Sequence, residues 1–199
     1  MTFEPNAQRR RLIHAALSTT ALGALSSPWP AMGQKATRTL RVGHQKGWLS
    51  ILKARGTLEG RLAELGVNVS WTEFSAGPVQ LEALNVGAID FGDVGEAPPI
   101  FAQAAGAPLV YAGATAPRPK LEAVIVPKGS PIKTTADLKG KRVAYNKGSN
   151  VQYFLVKLLE KNGLKYSDVQ SVFFPPPDAR AAFERSAVDA WIIWDPFLA

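Results

Sequence analysis

The chain has 199 residues, of which 46% are hydrophobic and 20% charged, as is typical of a globular protein with a buried core. It contains no cysteine, which excludes disulfides, thiolate metal sites and a cysteine nucleophile. His14 and His44 are the only histidines, so a histidine-rich metal site is excluded and a Ser-His-Asp triad would have to use His44. The formal net charge of +7 is scattered rather than gathered in a basic stripe, which disfavours nucleic acid as a partner and suits small anions.

Residues 1–33 have the layout of an export signal. Three arginines at 9–11 precede a mildly apolar run at 12–25, and Ala31-Met32-Gly33 provides a small-x-small cleavage pattern. The apolar run is too short and too weak to span a bilayer, so an anchoring helix is the less favoured alternative. The arginines suit either the general secretory or the twin-arginine route. No cysteine follows, so lipid attachment at a cysteine is excluded.

From residue 39 onward, short apolar segments alternate with helical patterns, which predicts an α/β fold with parallel strands. In the first part of the chain, strands are predicted at 39–45, 67–71, 89–91 and 109–112. One helix is predicted at 49–65, although Gly56 and Gly60 should each weaken it by about 1 kcal/mol relative to alanine. Two further helices are expected to begin at Pro78 and Pro98.

The segment ATAPRPK at 114–120 contains two prolines and predicts an extended connector. The pattern then restarts, with strands predicted at 123–126, 142–145, 170–174 and 190–194, and helices at 135–138, 151–162 and 178–185. We interpret this pattern as two α/β lobes, at 38–113 and 121–199, joined by a hinge at 114–120. One continuous doubly wound sheet is the alternative.

The turn NKGSN at 146–150 leads into a predicted helix. Ser149 and Gln152 match the Ser-x-x-Gln capping box. The free amides of the helix start, the helix dipole and Lys147 would together favour an anion. For a turn considered alone, plain capping is the better interpretation.

Three other segments have the same character: HQKGW, FSAGPVQ and DVGEAPPIF each place small or amide residues after a predicted strand. Ligands of open parallel α/β sheets bind outside the carboxyl ends of the strands, so these loops and the 146–150 turn are expected to face one cleft. Such a cleft is rich in donors and suits an oxyanion. In WDP, Trp194 could offer an apolar face to an organic tail, whereas Asp195 is expected to hold the turn and Trp191 to lie in the core.

Several separated motifs, in order, resemble periplasmic aliphatic-sulfonate-binding proteins of ABC importers. The resemblance extends over nearly all of 41–197 and is carried by HQKGWLSILKARG, WTEFSAGPVQLEALNVGAIDFGDVGEAPPIFAQAAGAPLVY, PIKTTADLKGKRVAYNKGSN and DARAAFERSAVDAWIIWDPF. It implies a two-lobed type II binding-protein fold, shared with nitrate-, taurine- and thiamine-precursor-binding proteins. The motif positions that the resemblance assigns to the ligand are Gln45, Gly77, Pro78, Gly95, Ser149, Asn150 and Trp194.

The resemblance implies a monomeric periplasmic protein that captures a small organic sulfonate and delivers it to an ABC permease in the inner membrane. It implies no cofactor, no metal and no catalysis. The chain departs from the family pattern at His44, where an aromatic residue is expected, and at Glu96, where a shorter aspartate is common. It also ends at Ala199, which leads us to expect a second lobe truncated at its C-terminus.

Two other function classes compete with this interpretation. A thiamine-pyrimidine synthase of related fold should show clustered histidines and cysteines, and here cysteine is absent. The effector domain of a transcription regulator would need a helix-turn-helix head, where this chain has an export signal instead. Both rank below the importer component.

Overall fold

The computed structural model describes residues 38–199, and the export signal predicted at 1–33 lies outside the described residues. Within this range seven strands, six α-helices and two short 3-10 helices follow one another along the chain. None of these described helices combines the length and the apolar character that crossing a membrane requires.

The first sheet has three parallel strands in the order β2-β1-β3. Strand β1 is Arg38–His44, β2 is Val67–Glu73 and β3 is the short segment Phe91–Gly92. Strands β1 and β2 pair over seven residues, from Arg38 opposite Val67 to His44 opposite Glu73. The strands predicted at 39–45 and 67–71 are confirmed, whereas the third begins two residues later than expected. Since all three run the same way, the segments that follow them meet at one edge.

Four helices accompany this sheet: α1 (Trp48–Arg55), α2 (Thr57–Ala63), α3 (Gly77–Asn85) and α4 (Ala97–Ala104). The single helix predicted at 49–65 is wrong. Gly56 takes the left-handed conformation with φ of 61°, its N–H bonds to the carbonyl of Lys53, and α1 ends there. Helices α3 and α4 do carry prolines in their first turns, as predicted.

The strand predicted at 109–112 is also wrong. Residues 107–118 have no regular secondary structure, and Val110 is 87% exposed. Strand β3 is the edge of the first sheet, and among the described strands it pairs only with β1. Apolar residues do not form a strand without a neighbour to complete the hydrogen-bond ladder, and this segment has none among residues 38–199.

The second sheet has four strands in the order β4-β7-β5-β6. They are β4 (Glu122–Ile125), β5 (Arg142–Tyr145), β6 (Gln170–Phe173) and β7 (Ala190–Trp194). Strand β5 runs parallel to β6 and β7, but β4 is antiparallel to β7, so the expectation of wholly parallel strands is wrong for β4. Neighbouring strands run parallel when a helical crossover joins them directly. No such crossover joins β4 to β7, so this pair is free to be antiparallel.

The core of this sheet lies on both of its faces. Helix α5 (Asn150–Lys161) and helix α6 (Pro176–Glu184) belong to two separate buried clusters. Alternate residues of β5 and β7 point to opposite faces, so Val143 and Ile192 pack with α5, whereas Trp191 packs with α6. The expectation that Trp191 is a core residue is therefore confirmed.

Each sheet contains one Arg–Asp pair, and the two pairs occupy equivalent positions in their sheets. We call each pair an Arg–Asp clamp. Asp90, just before β3, accepts hydrogen bonds from the backbone N–H and the Nε of Arg41, both at 2.9 Å. Asp189, just before β7, accepts from the backbone N–H of Arg142 at 2.8 Å and from its Nε at 3.2 Å. Each clamp lies at the amino end of the contact between two parallel strands, β1 with β3 and β5 with β7.

The first sheet is built from residues 38–92 and the second from residues 122–194, with the irregular segment 107–118 between them. The description of 38–113 and 121–199 as lobes and of 114–120 as a hinge stays a prediction.

Candidate ligand-binding cleft

An open cleft of about 180 Å³ lies at the carboxyl ends of strands from both sheets. The first-sheet residues at the cleft follow β1 or lie at the end of β2 and just after it. The second-sheet residues belong to the start of α6, the end of β7 and the segment that follows β7. The lining residues are Gln45, Lys46, Glu73, Phe74, Ser75, Pro177, Trp194 and Phe197.

Gln45, a predicted ligand-facing residue, is held at the cleft from two directions. Its Nε2 donates to the carbonyl of Asp93 at 3.2 Å, and its own carbonyl accepts from Ser50 Oγ at 2.9 Å. The carbonyl of Asp93 also accepts from Nε2 of the buried Gln80 at 3.0 Å. A Cβ on Gly92 would overlap that Gln80 amide, so this position requires glycine. Side-chain amides thus fix the loops that follow β1 and β3.

His44, the last residue of β1, is only 2% exposed. Its Nδ1 lies 3.2 Å from both Ser50 Oγ and the carbonyl of Gln45, and its Nε2 lies 3.3 Å from the Lys53 ammonium. An ammonium can only donate, so Nε2 accepts and Nδ1 carries the ring proton. None of these partners is a carboxylate, so the described residues do not form the Ser-His-Asp triad that composition alone left open. His44 instead supports the backbone of Gln45.

The turn at 146–150 differs from the predicted capping box. Ser149 is 1% exposed and its Oγ donates to the carbonyl of Asn146 at 2.7 Å. The side chain of Gln152 accepts from the backbone N–H of Gly148 at 2.7 Å, one residue before the position that a capping box uses. The capping-box prediction is therefore wrong, because the serine hydroxyl is already used within the turn. No side chain among the described residues caps α5, so its first N–H groups are left for water or an anion.

Asn150, the first residue of α5, joins the two sheets near the cleft. Its Nδ2 donates to Oε1 of Glu122 on β4. On its other side lies Gly95, where a Cβ would come within 2.8 Å of Asn150 Cγ, so glycine is required for this approach. Close by, a Cβ on Gly148 would lie 3.5 Å from Pro78 Cγ. Three predicted site residues, Pro78, Gly95 and Asn150, are thus brought together.

The last two predicted site residues differ in position. Gly77 is buried at the start of α3, where a Cβ would lie 3.0 Å from Pro98 Cγ, so it permits close packing of α3 on α4 and does not line the cleft. Trp194 ends β7 and does line the cleft, with Phe197 edge-on to it at 6.4 Å between ring centroids. In the β4–β7 ladder Trp194 lies opposite Glu122, the residue that accepts the hydrogen bond from Asn150. The cleft and the Asn150–Glu122 hydrogen bond are therefore neighbours.

Two partly buried carboxyl groups near the cleft have raised pKa values. Burial raises the pKa of Glu122, the charge of Glu96 adds to this effect, and the hydrogen bond from Asn150 opposes it. Burial also raises the pKa of Asp93, although a hydrogen bond from Trp48 lowers that pKa in part. Both carboxyls therefore become neutral at a higher pH than ordinary side chains.

The sequence prediction did not include Glu122, Pro177 or Phe197. Glu122 joins the site only through Asn150 and Trp194, which are distant in sequence, so no local motif indicates it. Phe197 follows the WDP turn, and its apolar ring beside a candidate cleft tryptophan was a usable signal. Residues 38–199 contain no cluster of three or more metal-ligating side chains.

Comparison with known proteins shows clear similarity to sulfonate-binding proteins. The alkanesulfonate-binding protein SsuA from Xanthomonas axonopodis pv. citri, bound to MOPS, has a TM-score of 0.77 and 48% identity, covering 80% of this chain and 55% of that one. The periplasmic aliphatic sulphonate binding protein SsuA from Escherichia coli has a TM-score of 0.69 and 52% identity, covering 81% and 55%. A candidate aliphatic sulfonates-binding protein of Escherichia coli (strain K12) is 50% identical over 183 residues, 91% of this chain and 54% of its own length.

The chain therefore spans about half the length of the relatives that it matches. Over that half it has the α/β periplasmic binding protein fold, as predicted. The NMT1/THI5-like family model matches residues 59–196, a range that includes all of the second sheet and the turns leading into α3, α4 and α5. On this evidence the chain belongs to the NMT1/THI5-like family.

Proposed function

We propose that this chain is the ligand-binding part of the solute-binding component of an ABC importer, and that it captures aliphatic sulfonates for sulfur uptake. The observation that carries the proposal is the make-up of the cleft. Gln45, Lys46 and Ser75 offer an amide, an ammonium and a hydroxyl, while Trp194 and Phe197 offer aromatic surface.

A sulfonate is strongly acidic, stays ionised and only accepts hydrogen bonds. Amide, ammonium and hydroxyl donors satisfy it without proton transfer, and aromatic surface suits its aliphatic tail. The similarity to SsuA proteins, named for alkanesulfonate and aliphatic sulphonate binding, supports this ligand class. The same cleft lacks a paired nucleophile and base among its lining residues, and the relatives named here are binding proteins, which supports binding rather than catalysis.

Ligand contact by the seven predicted site residues is part of this proposal. Gln45 and Trp194 line the cleft directly. Asn150 would act from the uncapped start of α5, whose dipole favours an anion, and Pro78 and Gly95 would shape the approach of the loops. The Ser149 hydroxyl is occupied by Asn146, so Ser149 would act through its turn, and Gly77 through the packing of α3.

The cellular setting is proposed from the same sources. The export signal predicted at 1–33 and the periplasmic description of the Escherichia coli SsuA structure support a periplasmic location. The importer role implies delivery of the ligand to an ABC permease in the inner membrane, by a monomer. Nitrate, taurine or a thiamine precursor is the alternative ligand within the same fold.

Isothermal titration of the chain with propanesulfonate and with butyrate, a carboxylate of equal length, tests this proposal. We expect tighter binding of propanesulfonate, because its three oxygens can accept from more donors than the two of a carboxylate. Lys46→Gln should weaken that binding. Lys128→Gln, the same change at an exposed residue that does not line the cleft, should leave binding unchanged. Preference for butyrate would contradict the proposal.

A further inference from the structure

Gln80 is a buried polar residue of α3, 1% exposed, whose side chain lies against two glycines of the first sheet. Gly43 of β1 and Gly92 of β3 are partners in the ladder between these strands. A Cβ on Gly43 would lie 3.2 Å from Gln80 Cγ, and a Cβ on Gly92 would overlap the nitrogen of the Gln80 amide. Both strands therefore lack a side chain at the same level, and the space holds the Gln80 amide.

The hydrogen bonds of Gln80 determine how its amide is oriented. Its Nε2 donates to the backbone carbonyl of Asp93 at 3.0 Å and to that of Gly43 at 3.4 Å. Carbonyl oxygens only accept, so the nitrogen must face them. Oε1 is then buried without a hydrogen-bond partner among the described residues. An unpaired buried oxygen lowers stability, and an apolar side chain of similar shape would avoid that loss. Stability alone therefore does not explain an amide at this position.

The Asp93 carbonyl connects Gln80 to the cleft. It also accepts a hydrogen bond from Nε2 of Gln45, at 3.2 Å, and Gln45 lines the cleft. A carbonyl oxygen has two lone pairs, so the two amides together use its full capacity. The Gln45 amide nitrogen carries two hydrogens, and the bond to Asp93 uses one of them and leaves the other for a ligand. The direction of the Gln45 amide thus depends on the position of the Asp93 carbonyl.

We propose that Gln80 is a positioning residue of the ligand-binding cleft. It does not line the cleft, but it holds the Asp93 carbonyl, and that carbonyl holds the Gln45 amide in the direction in which it donates to the sulfonate. This inference rests on the proposed function and adds to it a residue beneath the cleft. A donor that is fixed before the ligand arrives loses less conformational entropy on binding. Without Gln80 the donor remains, but its direction is no longer fixed, and affinity falls.

The test is a double-mutant cycle of propanesulfonate affinity, measured by isothermal titration at a temperature at which each variant is folded. Gln80→Met keeps the shape of the side chain without its donor, and it should weaken binding per folded molecule roughly fivefold, the effect of one neutral hydrogen bond. In a Gln45→Ala background the same substitution should have no further effect, because Gln80 acts through Gln45. Gln170→Met is the matched control. Gln170 also donates from Nε2 to a backbone carbonyl, that of Gly140 at 3.1 Å, but does not line the cleft, so affinity should not change.

A second measurement needs no substitution and so does not depend on the folding of a variant. In NMR spectra of the unmodified chain, the side-chain amide protons of Gln45 and Gln80 should both shift as propanesulfonate is added, whereas those of Gln170 should not. A shift of Gln45 without one of Gln80 would overturn the inference.

The outcomes separate the two proposals. If the unmodified chain does not bind propanesulfonate, the proposed function falls and the inference falls with it. If it binds, but folded Gln80→Met binds equally well or the effects of the two substitutions simply add, the inference is overturned while sulfonate binding stands.

Discussion

Asn150 donates a hydrogen bond from its side-chain amide to the carboxylate of Glu122 and so joins the start of α5 to β4. The pair also connects the cleft to the contact with Gly95, because Glu122 lies opposite Trp194 and Asn150 packs on Gly95.

The first prediction concerns the charge of Glu122. Burial raises the pKa of this carboxyl in the folded state, so its contribution to stability is present below the ordinary pKa and is lost as pH rises through the folded value. Glu122→Gln keeps an oxygen acceptor for Asn150 without the charge. We expect a higher melting temperature at neutral pH and a difference that shrinks in acid. Glu64→Gln, at an exposed position, is the control; an equal or lower melting temperature for Glu122→Gln would contradict the prediction.

The second prediction concerns acid and the clamp of the first sheet. The hydrogen bonds of Arg41 lower the pKa of Asp90 from 3.8 to about 2. A lowered carboxyl pKa contributes stability that is present above the ordinary value and is lost as pH falls through the folded value. Asp90→Asn should therefore unfold at a lower temperature than the unmodified chain at pH 6, and the difference should shrink as pH falls toward the folded pKa of about 2. Thermal unfolding followed between these pH values measures this, and a difference independent of pH would exclude the mechanism.

The third prediction concerns the space between Gly95 and Asn150. A Cβ at Gly95 would lie 2.8 Å from Asn150 Cγ, so Gly95→Ala should destabilise the chain by about 1–3 kcal/mol through overpacking. Adding Asn150→Ala should recover part of that loss, because it removes two of the three obstructing atoms, Cγ and Oδ1, and leaves only Cβ. Gly113→Ala is the matched control, since a Cβ there meets nothing within 4 Å. Urea unfolding of the four proteins measures each change, and a double variant no more stable than Gly95→Ala would show that the loss has another cause.

The fourth prediction concerns Ser149. Its hydroxyl donates to Asn146 inside the turn, so Ser149→Ala should cost about 1 kcal/mol for the lost hydrogen bond. If the turn presents the start of α5 to an anion, the same substitution should also weaken propanesulfonate binding per folded molecule. Titration under conditions in which the variant is fully folded separates the two effects. Unchanged affinity would assign the turn a purely structural role.

The fifth prediction assigns ligand-dependent fluorescence among the tryptophans. Trp194 lines the cleft, whereas Trp191 is 2% exposed in the core. Propanesulfonate should change the emission of the unmodified chain, and Trp194→Phe should remove most of that change. Trp191→Phe should preserve it. A signal of full size in the Trp194→Phe variant would place the responding ring elsewhere.

The second sheet was predictable from the sequence to within a residue or two at most element ends. Its strands are short apolar runs separated by amphipathic helices, and burial on both faces makes such runs easy to recognise. The errors arose where a local pattern depends on a distant partner. Residues 109–112 look like a strand but have no neighbouring strand in the part of the chain that the structure describes. The direction of β4 is set by pairing with β7, which follows some 65 residues later.

For the site, the sequence indicated which loops meet, because parallel strands bring their carboxyl ends to one edge. It did not indicate how the side chains share hydrogen bonds once they meet. Ser149 matched a capping motif, yet its hydroxyl bonds backward to Asn146, and Glu122 entered the site from an unremarkable strand. Such choices follow from the competition among nearby donors and acceptors in three dimensions, and spacing along the chain does not encode them.

The two Arg–Asp clamps have a consequence for how this protein can change over time. They hold the strand pairs β1–β3 and β5–β7 together at their amino ends. The cleft is formed by residues at the carboxyl ends of strands. Substitutions in the cleft lining therefore fall at the opposite ends of the strands from the residues that hold the sheets together. The lining of the cleft can therefore change during evolution while both Arg–Asp clamps are kept.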